Sequence, residues 1–257
     1  MTAYARLSRQ GAIATLTLCN SERLNALPGP AHHQLSGLFD QLAADPEVRV
    51  VIITGEGRAF CAGYDLHDDL AGGDLELPSS GFAGLTWRED YPLPLIAAVD
   101  GVAFGGGFEL ALACDLIVAT NRARFALPEP RVGWAALGGG VQRLPQSIGM
   151  KRAMGIILTG RHVPAAEGLE LGFVNQVVAT DQLQDAALEW ARQIAACAPL
   201  AVRCSKQVAY ASFDEPDFAR RMNPHSYSTT RPMLDSQDAL EGRRAFAEKR
   251  QPQWKGQ

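Results

Sequence analysis

Apolar and polar positions alternate in several registers along the chain. Residues 4–7 and 13–18 are short β-rich runs on either side of Gln10-Gly11, the pattern of a hairpin. A loop over residues 19–27 leads to Pro28-Gly29-Pro30. Beyond it Leu35, Leu38, Phe39 and Leu42 recur at helical spacing, and Asp45-Pro46 ends the helix predicted over 31–43. Residues 48–54 and 95–99 are continuous apolar runs, which predict strands buried on both faces. Between them, residues 57–66 (GRAFCAGYDL) form a glycine-bounded loop leading towards a helix. Residues 67–84 are acidic and Gly-rich with little periodicity, and predict a mobile loop. Short strands are expected at 116–119 and 124–126, so strands alternate with helices as in an α/β layered core. From Gly138 the pattern turns helical, with segments at about 140–159, 164–171, 180–197, 199–213 and 236–248 and one strand at 173–178. No Pro- or Ser-rich linker intervenes, so the helical C-terminal third is expected to pack on the first part or on another subunit.

The segment FGGGFELALACD, residues 104–115, organises the rest. Three glycines run into an apolar stretch whose one acid before Asp115 is Glu109. Glycines suit a helix start, where the backbone comes close to something else. The first N–H groups of a helix have no intrahelical partner, and the macrodipole makes that end electropositive. With a helix beginning near Gly106, Glu109 lies one turn on, on the same face. One turn then offers an oxyanion-type donor and a carboxylate. The bland alternative is a buried helix whose first-turn acid only complements the dipole.

Composition narrows the classes. The 257 residues are 47% hydrophobic and 20% charged, an ordinary globular balance with room for a sizeable core. A net charge of −4 argues against nucleic acid or anionic lipid as partner. The N-terminal segment has no apolar signal core, and the apolar stretch at 110–119 is too short to span a bilayer, so a cytoplasmic protein without membrane association is expected. Cys19, Cys61, Cys114, Cys197 and Cys204 are odd in number and scattered, as for unpaired, mostly buried thiols in a reducing compartment. His32 and His33 are adjacent and point to different faces of a helix; no histidine has metal-ligand spacing, so no metal is expected. The 105–107 glycines do not fit G-x-G-x-x-G, and no G-x-S-x-G occurs, which excludes a dinucleotide-binding dehydrogenase and a serine hydrolase of that type.

A second acid, Glu129, lies between Pro128 and Pro130 in FALPEPRVG, where it cannot sit mid-helix. The strand pair between Glu109 and Glu129 can fold back so that the two acids converge. GRAFCAGYDL (57–66), VDGVAFGGGFELALACD (99–115), FALPEPRVG (125–133), GGGVQRLPQSIG (138–149) and EGRRAFAEKRQP (241–252) together resemble the crotonase superfamily, more narrowly the enoyl-CoA hydratase/isomerase family, over nearly the whole chain. The resemblance implies an α/β fold with a spiral of ββα turns over residues 1–195 and a helical trimerisation region over 196–257, in a trimer or dimer of trimers. It implies an acyl-CoA thioester substrate and no cofactor, coenzyme A being part of the substrate.

By the same resemblance the oxyanion hole falls on the backbone N–H groups of Tyr64 and Gly106, and the acid/base carboxylates on Glu109 and Glu129. Hydration of a 2-enoyl thioester builds enolate charge on the thioester oxygen, which preorganised N–H donors stabilise. Two carboxyl groups on one water suit its deprotonation and the protonation of Cα; set close together they should not both ionise readily. The CoA moiety is expected along Arg23, Leu24, Ala26, Ala62, Asp65 and Leu66, with Pro128 and Val132 as further substrate-binding positions and Leu137 near the acyl group. Phe246 and Lys249 match positions that reach a neighbouring subunit's CoA. Asp65 also suits a helix N-cap, and Lys249 a solvated terminal lysine.

Ala136-Leu137 departs from the family's Pro-Gly, and Leu137 stands where aroyl-CoA dehalogenases carry a nucleophilic Asp. The presence of both glutamates favours a hydratase over an isomerase. A hydrolase or decarboxylase on the same scaffold, or a non-catalytic acyl-CoA-binding homologue, are the alternatives. An RNA-binding role would need a basic helix, which residues 32–47 do not supply.

Overall fold

The N-terminal hairpin is present: β1 (Ala5–Gln10) pairs antiparallel with β2 (Ile13–Leu18). The computed structural model describes residues 3–66 and 77–257. Most of the acidic segment expected to be a mobile loop, residues 67–76, lies outside the described residues. From β2 onward the large sheet is parallel, running through β3 (Val50–Gly55), β4 (Leu95–Val99), β6 (Leu116–Thr120) and β9 (Gln176–Val178). The continuous apolar runs are explained by burial of both faces. Val51, Ile53, Leu95 and Ala97 face the main core, while Val50, Ile52, Ile96 and Ala98 face Leu183, Ala187 and Ala191 of α6 (Leu183–Ala195). On the main-core side Leu35, Phe39 and Leu42 of α1 (Gly29–Ala44) supply the facing apolar stripe.

A second, three-stranded sheet joins β5 (Val102–Phe104), β7 (Arg124–Ala126) and β8 (Val163–Pro164). The sequence pattern did not reveal β5, a three-residue strand set between the Asp100-Gly101 corner and the glycine run. The chain passes from β4 in the large sheet to β5 in the small one through Asp100-Gly101. Gly101 has φ +65, and a Cβ there would sit 2.0 Å from Arg58 O, so the corner requires glycine. From β5 the chain enters α2 (Gly106–Leu112), every residue of which is buried, then returns to the large sheet at β6 and the small one at β7. These are the ββα turns of the expected spiral.

Helices fill the remainder: α3 (Gly140–Ile148), α4 (Met150–Ile157), α5 (Ala165–Leu171), α7 (Pro199–Asp214), α8 (Phe218–Met222), α9 (Thr230–Leu234) and α10 (Gln237–Glu248). The single helix expected over 140–159 is broken at Gly149, which takes φ +81. The strand expected at 173–178 begins only at Gln176, and the helix expected at 180–197 is α6 preceded by a 3-10 turn. Helices α8 and α9 were missed, being one turn each; the Asp217 carboxylate starts α8 by accepting from Ala219 N and Arg220 N. All five cysteines are unpaired, with Cys61, Cys114 and Cys204 buried. Among the described residues no helix is long and apolar enough to cross a membrane.

Helix α2 is anchored by Phe108, whose ring meets Phe125 at 5.1 Å and Phe173 at 5.2 Å between centroids. Truncation of Phe108 to Ala is expected to cost about 3–5 kcal/mol of stability, read from the urea midpoint. An unchanged midpoint would show that the three-ring cluster does not secure this helix.

Candidate active site

Three stretches converge on the start of α2. Phe60 N and Cys61 N both donate to Val102 O at 3.1 Å, and Phe104 N donates to Cys61 O at 3.0 Å, which lays the 57–66 loop along β5. Leu27 N donates to Gly63 O at 2.9 Å and Asp65 N to Leu27 O at 3.1 Å, so Tyr64 is pinned from its other side. The backbones come so close that side chains are excluded. A Cβ on Gly63 would lie 2.7 Å from Phe104 O and 3.1 Å from Gly106 N, and one on Gly107 would lie 2.0 Å from Cys61 O. The Gly63–Tyr64 peptide therefore abuts the Gly106 N–H, which as the first of the helix has no intrahelical acceptor. The close approach expected of this glycine run is real.

Glu109 is 5% exposed and sits one turn into α2. Its Oε1 accepts from Gly140 N, at the start of α3, at 2.9 Å. A Cβ on Gly138 would lie 2.5 Å from Glu109 Oε2, so GGG at 138–140 is the floor on which the carboxyl rests. Burial pushes the Glu109 carboxyl up to about 7; the Gly140 N–H opposes the shift, the Glu129 charge adds to it, and Gly138 and the Arg143 guanidinium oppose it. Glu129 opens a 3-10 turn (Glu129–Val132) just after β7, and its carboxyl lies over Gly105, where a Cβ would be 2.9 Å from Oε1. Its Oε2 is buried with no hydrogen-bond partner among the described residues, and burial raises this carboxyl too. The Glu129 charge raises Glu109 as expected of two close acids, though burial is the larger cause there; for Glu129 the cause is burial, opposed by its own backbone N–H.

The other sequence-derived positions fall into groups. Arg23 reaches Asp65 (Nη1–Oδ2 2.7 Å), and Ala62 N donates to Leu24 O at 2.9 Å, so Arg23, Leu24, Ala26, Ala62, Asp65 and Leu66 share one edge. Leu24 and Asn25 take left-handed φ of 54° and 56° in the turn that makes this possible. Pro128 precedes Glu129 and Val132 ends its 3-10 turn; Val132 and Leu137 are exposed. Phe246 and Lys249 stand exposed at the end of α10; among the described residues no hydrogen bond or ring contact joins them to the elements around α2.

Sequence reasoning missed several neighbours. Phe82 lies against Gly106, where a Cβ would strike its ring at 2.5 Å, and Trp134 meets the Tyr64 ring at 6.3 Å. Arg143 donates to Thr86 O at 2.7 Å beside Gly139. Arg143 could have been flagged as the lone cation in the GGGVQRL motif; Phe82 and Trp134 carry no sequence signal for this place.

The family described as Enoyl-CoA hydratase/isomerase matches residues 8–257. The chain belongs to this family. It is 42% identical to the carnitinyl-CoA dehydratase of Proteus mirabilis over 263 residues, covering all of both chains, and 42% identical to that of Salmonella enteritidis over 261 residues, again covering all of both. Among solved structures it superposes on an enoyl-CoA hydratase from Mycobacterium tuberculosis with TM-score 0.91 at 39% identity, covering 99% of each chain. An enoyl-CoA hydratase from Bacillus anthracis gives TM-score 0.92 at 34% identity, covering 99% of this chain and all of that one. The fold is that of the crotonase superfamily.

The raised Glu109 carboxyl makes a stability prediction. The folded chain binds this proton more tightly than the unfolded one, whose value is near 4.5. Its contribution is therefore fully present below pH 4.5 and lost as pH rises through about 7. Glu109→Gln escapes that loss, so the variant should gain on the parent between pH 5 and pH 8 by up to about 3 kcal/mol in denaturant melts. An identical difference at the two pH values would contradict the placement of Glu109 as a buried acid.

Proposed function

We propose that the protein is an enoyl-CoA hydratase, adding water across the 2,3 double bond of a 2-enoyl-CoA. The observation that carries this reading is the buried glutamate held by a backbone N–H one turn beyond Gly106, with a second, half-buried glutamate close enough to act on its proton affinity. In the proposed reaction the thioester oxygen lies between the N–H groups of Tyr64 and Gly106. Hydroxide from water bonds to Cβ while the π electrons move onto the thioester oxygen as an enolate, and Cα then takes a proton as the carbonyl reforms. One carboxylate accepts the proton of water and the other carboxyl supplies the proton to Cα, so the pair ends the cycle with the same single proton.

The names of the relatives support the class of chemistry, since loss of water from an acyl-CoA is the same reaction reversed. Identity of 42% does not carry their acyl group to this chain. The edge formed by Arg23, Leu24, Ala26, Ala62, Asp65 and Leu66 is our candidate for the CoA moiety, and Pro128, Val132 and Leu137 for the acyl side. We assign residues 1–195 to the catalytic spiral and 196–257 to subunit association, in a trimer or dimer of trimers in which Phe246 and Lys249 would serve a neighbour's CoA. The reaction needs no cofactor, and a cytoplasmic location suits the acyl-CoA substrate.

Loss of the conjugated enoyl-thioester absorbance with crotonyl-CoA tests the reading. Glu109→Gln and Glu129→Gln are each expected to lower the rate by on the order of a hundredfold or more. Failure of the parent to hydrate crotonyl-CoA and longer 2-enoyl-CoAs would refute it, and a loss confined to Glu109→Gln would favour an isomerase.

A further inference from the structure

The buried face of α1 carries Ala31, His32, Leu35, Phe39 and Leu42, and four of these five are hydrophobic. His32 is 0% exposed. Its Nδ1 accepts from Ala83 N at 3.1 Å, which fixes the neutral tautomer with the proton on Nε2. Burial, assisted by His33, pushes its pKa down to about 4, so the ring stays neutral near pH 7. Among the described residues the Nε2–H has no hydrogen-bond partner. A buried donor left unpaired costs about 1–3 kcal/mol; the bond from Ala83 N gives Nδ1 a structural role but does nothing to offset that cost at Nε2. The fold accounts for an acceptor at Nδ1 but not for the donor at Nε2.

Its neighbours supply one. The imidazole stacks on the Tyr64 ring at 5.9 Å and packs on the Phe82 ring at 4.7 Å between centroids. Tyr64 is one proposed oxyanion donor, and Phe82 is the ring that lies against the other, Gly106. His32 thus stands in the aromatic wall that backs both proposed donors.

We propose that His32 is a specificity-determining residue whose Nε2–H donates to an oxygen on the acyl group of the substrate. The matching substrate is an enoyl thioester bearing a hydroxyl, carbonyl or carboxylate oxygen beyond the double bond, in place of a plain hydrocarbon chain. A cationic group at that position would face the positive end of the N–H. The inference rests on the hydratase reading for the direction of the acyl group, but its test does not require turnover.

Saturated thioesters separate the two. Calorimetric titration with butanoyl-CoA, 4-hydroxybutanoyl-CoA and 4-(trimethylammonio)butanoyl-CoA is run on the parent, His32→Leu and His32→Gln, with thermal melts to verify folding. The parent should bind the hydroxylated ligand about tenfold tighter than butanoyl-CoA, the scale of one buried hydrogen bond. His32→Leu should abolish that preference, and His32→Gln, which keeps an N–H donor, should retain part of it. Equal binding of butanoyl- and 4-hydroxybutanoyl-CoA by the parent, a preference unchanged in His32→Leu, or tightest binding of the ammonium ligand would each overturn the proposal. If His32→Leu fails to fold, the parent's preference and the Gln variant still decide. Hydration of crotonyl-CoA without any oxygen preference would sink the role of His32 and leave the hydratase standing. An oxygen preference without hydration would do the reverse.

Discussion

The site depends on how closely backbone can approach backbone at the start of α2. Gly63, Gly106 and Gly107 lie where a Cβ would collide with Phe104 O, the Phe82 ring and Cys61 O. That absence of side chains lets the Tyr64 peptide stand beside the first N–H of the helix, and it sets the depth of everything one turn on. Glu109 is buried because α2 is buried on all sides, and α2 is held there by the Phe108–Phe125–Phe173 cluster. Packing, helix geometry and proton affinity are thus linked through one short element.

Burial alone would make Glu109 a permanently protonated, inert acid. The Gly140 N–H and, less strongly, Gly138 and Arg143 oppose that by favouring the carboxylate, and the balance settles near neutrality. A group whose two protonation states are both accessible at working pH can accept and return a proton at little cost. Glu129, raised by its own burial, is held on the opposite glycine, Gly105, so the two acids approach the same space from different elements.

Much of this was legible in the chain. The period-free apolar runs of β3 and β4 gave the buried sheet, because only a strand covered on both faces tolerates apolar residues at every position. Three glycines followed by a lone acid gave the helix start and Glu109. Less visible were features set by tertiary placement. Strand β5 is three residues long, the break at Gly149 depends on one positive φ, and α8 and α9 are single turns. The role of Gly138 and Gly140 as the seat of Glu109 needs the contact of α2 with α3, which sequence spacing does not encode. His32 looked like one of an adjacent pair on different faces; that expectation held, but nothing in the pattern says that the buried one lies beside Tyr64.

The direct test of this account is the proton affinity of Glu109 itself. Carboxyl 13C resonances of the uniformly labelled protein, with Glu109 identified by the peak missing from Glu109→Gln, can be followed from pH 4 to pH 9. The account predicts a midpoint near 7 for this one glutamate. A midpoint near the ordinary 4.5 would mean that Glu109 is solvated and that the buried, balanced acid described here does not exist.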